Sequence, residues 1–266
     1  MKTKARLAAA RDAYLATHLM RTRTGADDDG GAWFALGGGH PELAGVLRVG
    51  SGPLAPFLAT PAAGGLWHVW PGLEPAGAEE RLLAAGFSFV EEEPVMVADL
   101  DSPAATEGPG ARRTAEGWEI ITAGAGPGTG AGSGRAGQEL SRWSRVWDPG
   151  LPEGRRAGVA AGLHEVLELA PERSHYALGL LDGQPVACAA VFTAGGVSAV
   201  EHVVTNSGHR GRGLGTLMTQ HCLRIARQHG AGSVLLTASE QGAGIYRRLG
   251  FRTVGTVRRY LAPRNL

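Results

Sequence analysis

A glycine-dense turn joins an apolar strand segment to a helical segment late in the chain. The turn is His209-Arg210-Gly211-Arg212-Gly213-Leu214-Gly215-Thr216, after the apolar run Ala199–Val204 and before the helical pattern Leu217–His229. Backbone N–H groups at the start of a helix lack intrahelical partners and carry the positive end of the helix dipole, and glycines let an anion approach them. The order strand, turn, helix therefore predicts a site for a phosphate or diphosphate group.

Composition excludes several classes of protein. The chain has 266 residues, of which 43% are hydrophobic, so it can bury a sizeable core in one large domain or two modest ones. A formal net charge of +1 argues against a general nucleic-acid binder. Apolar runs fall short of the ~18 residues that a membrane span needs. Charged residues interrupt the segment 5–20, which is predicted to be an amphipathic helix rather than a signal peptide.

The two cysteines, Cys188 and Cys222, lie in a predicted apolar strand and a predicted helix. Buried reduced thiols in the cytoplasm explain them better than a disulfide or a nucleophile. The Cys and His residues have no metal-ligand spacing. We therefore expect a cytoplasmic protein without a metal site and without a nucleic-acid or membrane partner.

Two glycine- and proline-rich stretches punctuate the chain. Residues 101–117 carry Pro103 and Pro109 with little apolar content, which is typical of a linker between a domain at 1–100 and a domain at 118–266. The stretch Gly124–Gly137 alternates glycine with small residues. It lacks the lysine-serine/threonine pair of a phosphate loop, so a flexible loop is predicted.

Beyond the linker, hydrophobic periodicity predicts an alternating series of helices and strands. The predicted helices are Gln138–Trp147, Arg155–Leu169, Leu214–His229 and Ala243–Leu249. The predicted strands are Trp118–Thr122, His175–Leu181, Pro185–Thr193, Val197–Thr205, Ser233–Thr237 and Phe251–Tyr260. The fold class is therefore α/β (α+β), with a mixed, mostly antiparallel sheet flanked by helices.

The first 100 residues contain a weak copy of part of this series. The predicted elements are a helix at Ala5–Met20, a hairpin of Ala32–Leu36 with Gly45–Val49, a helix at Glu79–Ala85 and a strand at Pro94–Leu100. The segment Arg81–Phe87 can be aligned with Ile245–Phe251, and in both a Gly-Phe pair leads into a strand. This predicts a smaller, degenerate copy of the second domain, with chance similarity as the alternative.

A second motif follows the glycine turn by about thirty residues. A strand ending at Thr237 leads to a short helix that presents Tyr246 and stops at Leu249-Gly250-Phe251. Together the two motifs, within Val203–Phe251, resemble the GNAT superfamily of acyl-CoA-dependent N-acyltransferases. The resemblance implies the GNAT fold for 118–266, acetyl-CoA as cosubstrate, and an amine acceptor that attacks the thioester directly.

The resemblance also implies how acetyl-CoA is held. Backbone groups of the strand would bind the pantetheine arm like an added strand, which requires this strand to splay from its neighbour at a bulge. Amides of the turn would hold the pyrophosphate, with Arg210 shaping the turn and Arg212 either contacting a phosphate or remaining solvated. Ser239 replaces an asparagine that contacts the cofactor in many relatives. The implied cofactor-binding residues are Val203, Val204, Thr205, Arg210, Gly211, Arg212, Gly213, Leu214, Gly215, Thr216 and Ser239.

Two residues are the candidates for proton transfer. Tyr246 stands where the family has a tyrosine that protonates the departing thiolate. Glu201 shares a strand face with Val203 and is the candidate base, a structural hydrogen-bonding role being the alternative. Strand alternation places His202 on the opposite face, as a packing residue.

The acceptor site and the assembly are less constrained. Trp143, Trp147 and Asp148 fall in the region that forms the acceptor wall in relatives, and at least one tryptophan is expected in the core. The leading hypothesis is an N-acetyltransferase for a small-molecule or peptide amine, and the alternative is a non-catalytic acyl-CoA-binding sensor or interaction module. The oligomeric state stays open, with a homodimer through the exposed end of the sheet as one option.

Overall fold

The computed structural model describes residues 2–19, 23–26, 28–36, 40–101, 117–123 and 133–263. Most of the predicted linker and most of the glycine-rich stretch 124–137 lie outside these residues. The described helices are α1 Lys2–Leu19, α2 Ala55–Leu58, α3 Ala78–Ala84, α4 Ser133–Trp147, α5 Glu153–Leu169, α6 Leu214–Gln228 and α7 Glu240–Arg248, with 3-10 helices at Pro41–Leu43 and Ser207–His209. None of these helices is long and apolar enough to cross a membrane.

The described strands form one sheet with the order β1-β2-β3-β4-β11-β5-β10-β9-β8-β7-β6. Their bounds are β1 Arg23–Ala26, β2 Ala32–Ala35, β3 Ala44–Arg48, β4 Leu66–Val69, β5 Ser88–Asp99, β6 Trp118–Ala123, β7 Ser174–Leu181, β8 Gln184–Ala194, β9 Val197–Thr205, β10 Ser233–Thr237 and β11 Arg252–Leu261. Neighbouring strands are antiparallel except for the parallel pairs β3/β4 and β9/β10. The predicted mixed, mostly antiparallel sheet is confirmed.

Tight turns set the register of the central strands. Asp182-Gly183 joins β7 to β8 and Gly195-Gly196 joins β8 to β9, and all four residues have positive φ. Two consecutive positive φ angles match the right-handed twist of the flanking strands, which favours a hairpin at each position. The predicted hairpins in this part of the chain are confirmed.

Helices cover both faces of the sheet. One face carries α1, α4 and α5 over a core that includes Trp143 and Tyr176. The other face carries α6 and α7 over a core that includes Met218 and Cys222. Both cysteine thiols are free and buried, and burial raises the pKa of Cys222 to about 12 and that of Cys188 above its usual value. They remain protonated thiols and contribute packing.

Strands from the two parts of the chain interleave in the sheet. The strand β5, which precedes the predicted linker, lies between β10 and β11, and β11 in turn lies between β5 and β4. Glu91 and Glu92 on β5 stand opposite Arg259 and Arg258 on β11. The predicted domains at 1–100 and 118–266 therefore share one sheet, and the boundary itself stays a prediction.

A chain limited to residues 118–266 tests that boundary. Both sheet partners of β11 precede residue 101, so this fragment loses both rows of hydrogen bonds along β11 and exposes the apolar residues beneath it. We expect no cooperative thermal unfolding by circular dichroism, and recovery when residues 1–101 are co-expressed. A fragment that unfolds cooperatively by itself would instead support an autonomous second domain.

Candidate active site

A gap between β9 and β10 forms the centre of the site. The strand β10 pairs with β9 only through Val197–Ala199, and the remainder of β9 has no partner on that side among the described strands. On its other side β9 carries a bulge, where the register against β8 shifts between Cys188 and Ala190. His202 lies in this bulge with φ of 55°, which is unusual for a residue with a side chain. The splay and bulge required by the family resemblance are both present.

The glycine turn follows β9 directly. The Arg210 guanidinium donates a hydrogen bond from Nε to the Thr205 carbonyl at 3.1 Å, which ties the turn to the end of β9. Gly211 and Gly213 have φ of 76° and 80°, and Gly213 is the N-cap of α6. The amides of Leu214, Gly215 and Thr216 therefore lie in the first turn of α6, where the helix itself gives them no acceptor.

The turn leaves room for an anion at Gly215. A methyl group at this position would meet only the Ile245 and Thr205 side chains, at 3.6 and 3.8 Å. Arg212 is exposed, whereas the Leu214 side chain is buried in the core. Only the backbone of Leu214 is thus available to a ligand, while Arg212 is free to contact one with its side chain.

Helix α7 places the second motif beside the gap. Ser239 is the N-cap of α7, and its Oγ accepts a hydrogen bond from the Gly242 amide at 3.2 Å. Tyr246 is 8% exposed. Burial, followed by the nearness of Cys222 and Glu93, raises the pKa of Tyr246, so its phenol stays protonated at physiological pH. Ser239 therefore has a helix-capping role.

A cavity of about 300 Å³ connects these elements. Its wall includes both candidates for proton transfer, Glu201 and Tyr246, together with Val203 and Ser239. The first 100 residues supply much of the remaining wall: Tyr14, His18, Phe34, Glu42, Ala44, Leu66, His68, Glu91 and Glu93. Sequence reasoning missed all of these residues, because they precede the motifs by more than 100 positions and carry no motif of their own.

Glu201 lies at the centre of a chain of polar contacts. Its Oε1 is 3.1 Å from Nε2 of His18, and its Oε2 is 3.6 Å from Nε2 of His202. The other ring nitrogen of His202 is 3.6 Å from Oε2 of Glu42. Burial favours the neutral form of Glu42, but the hydrogen bond and charge of His202 outweigh it, so the pKa of Glu42 is lowered. Glu42 is thus a carboxylate.

The position of His202 corrects the sequence interpretation. Regular strand alternation placed its ring on the face opposite Glu201, but the ring lines the same cavity and contacts Glu201. The positive φ at the bulge breaks the alternation, which explains the error. The ring also packs edge-on against Trp143 and Trp147, so its predicted packing role is retained.

Of the three residues predicted for the acceptor wall, Trp147 lines the cavity, whereas Trp143 and Asp148 do not. Trp143 is buried in the core, where its Nε1 donates to the Ala189 carbonyl at 2.9 Å. Trp147 lines the cavity. Asp148 lies 3.3 Å from Nε2 of His40, at the end of α4. One tryptophan is thus a core residue and the other faces the site.

Arg259 closes the cavity on the side of β11. Its Nη1 donates to Glu91 and Glu93 at 2.8 and 2.6 Å, and its Nη2 donates to Thr237 at 2.8 Å. Its Nε is 3.3 Å from Nε2 of His68. Burial, with the charges of Arg259 and His18, holds the pKa of His68 well below its usual value, so His68 is neutral. Among the described residues that line the cavity, Arg259 is the only lysine or arginine, and the carboxylates of Glu91 and Glu93 already neutralise its charge.

The described residues contain no group of three or more His, Cys, Asp or Glu side chains arranged to hold a metal ion. The cavity wall carries groups that can transfer protons, Glu201 and Tyr246, and the carboxylates of Glu42, Glu91 and Glu93. Part of the unpaired edge of β9, the N-cap residue Ser239 of α7 and the buried Tyr246 line the cavity.

Comparison with known proteins places one segment of the chain in a family. Residues 142–251 match the family Acetyltransferase (GNAT). A 63-residue stretch is 40% identical to glucosamine 6-phosphate N-acetyltransferase of Trypanosoma brucei brucei. That match covers 23% of this chain and 43%, less than half, of the relative.

Solved structures share the fold over nearly the whole chain. A GCN5-related N-acetyltransferase from Kribbella flavida has a TM-score of 0.62 at 22% identity, with 97% of this chain and 95% of that chain covered. A GCN5-related N-acetyltransferase-like protein from Streptococcus suis has a TM-score of 0.60 at 15% identity, with 98% and 99% covered. The GNAT fold is therefore confirmed, while the origin of the first 100 residues as a degenerate copy stays a prediction.

Proposed function

We propose that the protein transfers an acetyl group from acetyl-CoA to the primary amine of a small molecule or peptide, by direct attack in a ternary complex. The observation that carries this proposal is that Glu201 and Tyr246 line one cavity, at the point where β9 splays from β10. A base and an acid on either side of a thioester are the two groups that amide formation requires.

The cosubstrate would lie along the open edge of β9. Backbone groups of Val203 and Thr205 would pair with the pantetheine arm as an added strand does. The amides at the start of α6 would receive the pyrophosphate, with Arg212 free to contact a phosphate. The thioester would then enter the cavity between Glu201 and Tyr246.

The reaction removes two protons from the acceptor ammonium and supplies one to the sulfur. Glu201 accepts the first proton from the ammonium, and the freed electron pair attacks the thioester carbonyl. A carbon–nitrogen bond forms, the carbon–sulfur bond breaks, and the Tyr246 hydroxyl donates to the sulfur as it becomes a thiolate. The nitrogen then releases its second proton, which restores the Tyr246 hydroxyl. Every group in this sequence is a side chain of the cavity wall.

The charge of the cavity favours a cationic acceptor without a phosphate. Glu42, Glu91 and Glu93 line the wall beside Glu201, and the Arg259 guanidinium is already engaged by Glu91 and Glu93. Carboxylates attract an ammonium group and repel a phosphate dianion. We therefore expect an acceptor class different from the phosphorylated sugar named for the Trypanosoma brucei brucei relative.

A non-catalytic acyl-CoA-binding module is the second candidate. The shorter side chain of Ser239 favours it, because Ser239 is held as the N-cap of α7 where many relatives have an asparagine that contacts the cofactor. Such a module would bind acetyl-CoA without accelerating its cleavage.

Two measurements distinguish the candidates. Calorimetry measures acetyl-CoA binding, and a thiol-reactive dye measures release of CoA with small diamines, peptide amines, glucosamine and glucosamine 6-phosphate as acceptors. We expect acetyl-CoA to bind and CoA to be released when an amine is present. Release should be slowest with the phosphorylated acceptor. Binding without release for any amine would favour the module, and absence of binding would contradict both candidates.

Gly215→Ala tests the pyrophosphate site. The added methyl group fits the protein but occupies the approach to the amides of α6, so we expect the acetyl-CoA Kd to rise about tenfold, equivalent to ~1.4 kcal/mol. The matched control is Gly154→Ala, an exposed position in the first turn of α5 with no heavy atom within 4 Å of the new methyl group. Equal affinities for the two variants would remove the turn from the cofactor site.

A further inference from the structure

The last turn of α1 places a histidine against the proposed base. His18 is 2% exposed, and its Nε2 lies 3.1 Å from Oε1 of Glu201. Helix α1 packs on β8, β9 and β11, so the contact joins the first 20 residues to the strand beside the thioester site. The proposed proton transfers through Glu201 and Tyr246 do not involve this histidine.

A hydrogen bond shows which nitrogen of the neutral His18 ring carries the proton. Its Nδ1 is 2.8 Å from the Tyr14 carbonyl oxygen, which can only accept, so Nδ1 carries a proton. Neutral His18 would then point the lone pair of Nε2 at the Glu201 carboxylate. Two acceptors repel at this distance, so the pair binds one added proton more strongly than either group does alone.

Aromatic packing holds the ring in this orientation. The Tyr14 ring lies 4.0 Å from the His18 ring, centroid to centroid, and the Phe34 ring lies edge-on at 4.8 Å. Turning the imidazole over would break the bond to the Tyr14 carbonyl and displace both rings. The packing of α1 and β2 around the ring therefore keeps Nε2 directed toward Glu201.

We infer that His18 is a positioning residue for acetyl transfer, which orients the Glu201 carboxylate and shares the proton that Glu201 removes from the amine. This inference rests on the proposed function. When the ammonium N–H bond breaks, its electron pair stays on nitrogen and the proton passes to the Glu201 carboxylate. The proton is then shared between Oε1 of Glu201 and Nε2 of His18. The base is therefore a pair of side chains, one on β9 and one on α1.

Several other charged or titratable groups face the pair. His202 contacts Oε2 of Glu201 from β9, and Glu42 lies beyond it on the 3-10 helix. His68 on β4 and Arg259 on β11 also act electrostatically on this part of the cavity. His68 stays neutral, so it does not compete for the shared proton. His202 therefore remains the main alternative proton carrier, and the test must separate it from His18.

The experiment compares kcat as a function of pH in His18→Gln and His18→Asn. The glutamine amide can donate to Glu201 from the position of Nε2 but cannot take up a proton, whereas asparagine is too short to reach. For His18→Gln we expect the plateau value of kcat to fall about tenfold. The acid limb, where kcat decreases at low pH, should move to a pH at least about one unit lower. For His18→Asn we expect about a 100-fold lower plateau.

The controls separate positioning from packing. The acetyl-CoA Kd should stay at the wild-type value in both variants, and His164→Gln should reproduce wild-type kcat. His164 forms another His–Glu contact, 3.5 Å from Glu168 on α5, outside the cavity. If the acid limb of the kcat profile lies at the same pH in His18→Gln as in the wild-type protein, the inference is overturned and His202 is left as the proton carrier.

A second measurement needs no turnover. Nitrogen-15 NMR of the histidine rings follows His18 in the wild-type protein and in Glu201→Gln. His18 should lose its proton at lower pH in Glu201→Gln, and identical titration curves would overturn the pairing. A wild-type protein that acetylates no amine overturns the proposed function, whereas an active one with an unmoved acid limb overturns only the role of His18.

Discussion

Replacing Glu201 with glutamine is expected to lower kcat by about 100- to 1,000-fold, since removal of a general base typically costs 10²–10⁴. The amide fills the same space but cannot accept a proton from the acceptor ammonium. The acid limb of the kcat profile, which reports the protonation of Glu201 and its partners, should disappear. Acetyl-CoA affinity should stay within about twofold, because the proposed pyrophosphate site is at the start of α6, away from Glu201.

The control for this variant is Glu168→Gln. Glu168 is 66% exposed on α5 and contacts His164, so the same loss of one carboxylate occurs away from the cavity. Its kcat and pH profile should match the wild-type protein. If Glu201→Gln keeps more than about a third of wild-type kcat, Glu201 has a structural hydrogen-bonding role and the base lies elsewhere.

Tyr246→Phe is expected to lower kcat about 100-fold, again within the range for a single proton-transfer group. The phenol is buried and its pKa is raised, so it stays protonated and able to donate in the proposed step. Deprotonation of Tyr246 would remove this donor only above its unperturbed pKa of ~10. The wild-type kcat should therefore show no alkaline loss below about pH 10 from this residue. Rapid-quench measurement of acetyl transfer checks the chemical step directly.

Tyr260→Phe is the matched control for the tyrosine. The Tyr260 hydroxyl donates to Glu79 on α3, outside the cavity. Loss of this hydrogen bond should lower the free energy of unfolding by about 1 kcal/mol without changing kcat. Equal kcat for Tyr246→Phe and the wild-type protein would exclude the tyrosine from the mechanism.

The sequence predicted the elements that depend on local patterns. Apolar alternation and the Asp182-Gly183 and Gly195-Gly196 turns predicted three consecutive antiparallel strands, and the structure confirms them within one or two residues. The glycine turn before α6 and the helix carrying Tyr246 also lie where expected. These signals are local, because turn chemistry and hydrophobic period act over a few residues.

Elements without a local signal were missed or shortened. The strand β5 begins at Ser88, six residues before the predicted start, because Glu91, Glu92 and Glu93 interrupt its apolar pattern. Those carboxylates are accommodated by Arg258 and Arg259 of the neighbouring β11. The short strands β1 and β4 were not predicted, since four-residue strands are too short for a periodic pattern.

The sequence by itself determined the GNAT fold of the second part and the glycine turn, and it singled out Glu201 and Tyr246 as candidates. Tertiary structure alone decided that β5 lies between β10 and β11, that His202 faces the cavity, and that His18 contacts Glu201. The reason is physical. A motif is encoded within one segment, whereas a contact across 183 positions depends on how α1 packs against the sheet and on one bulge that reverses strand alternation.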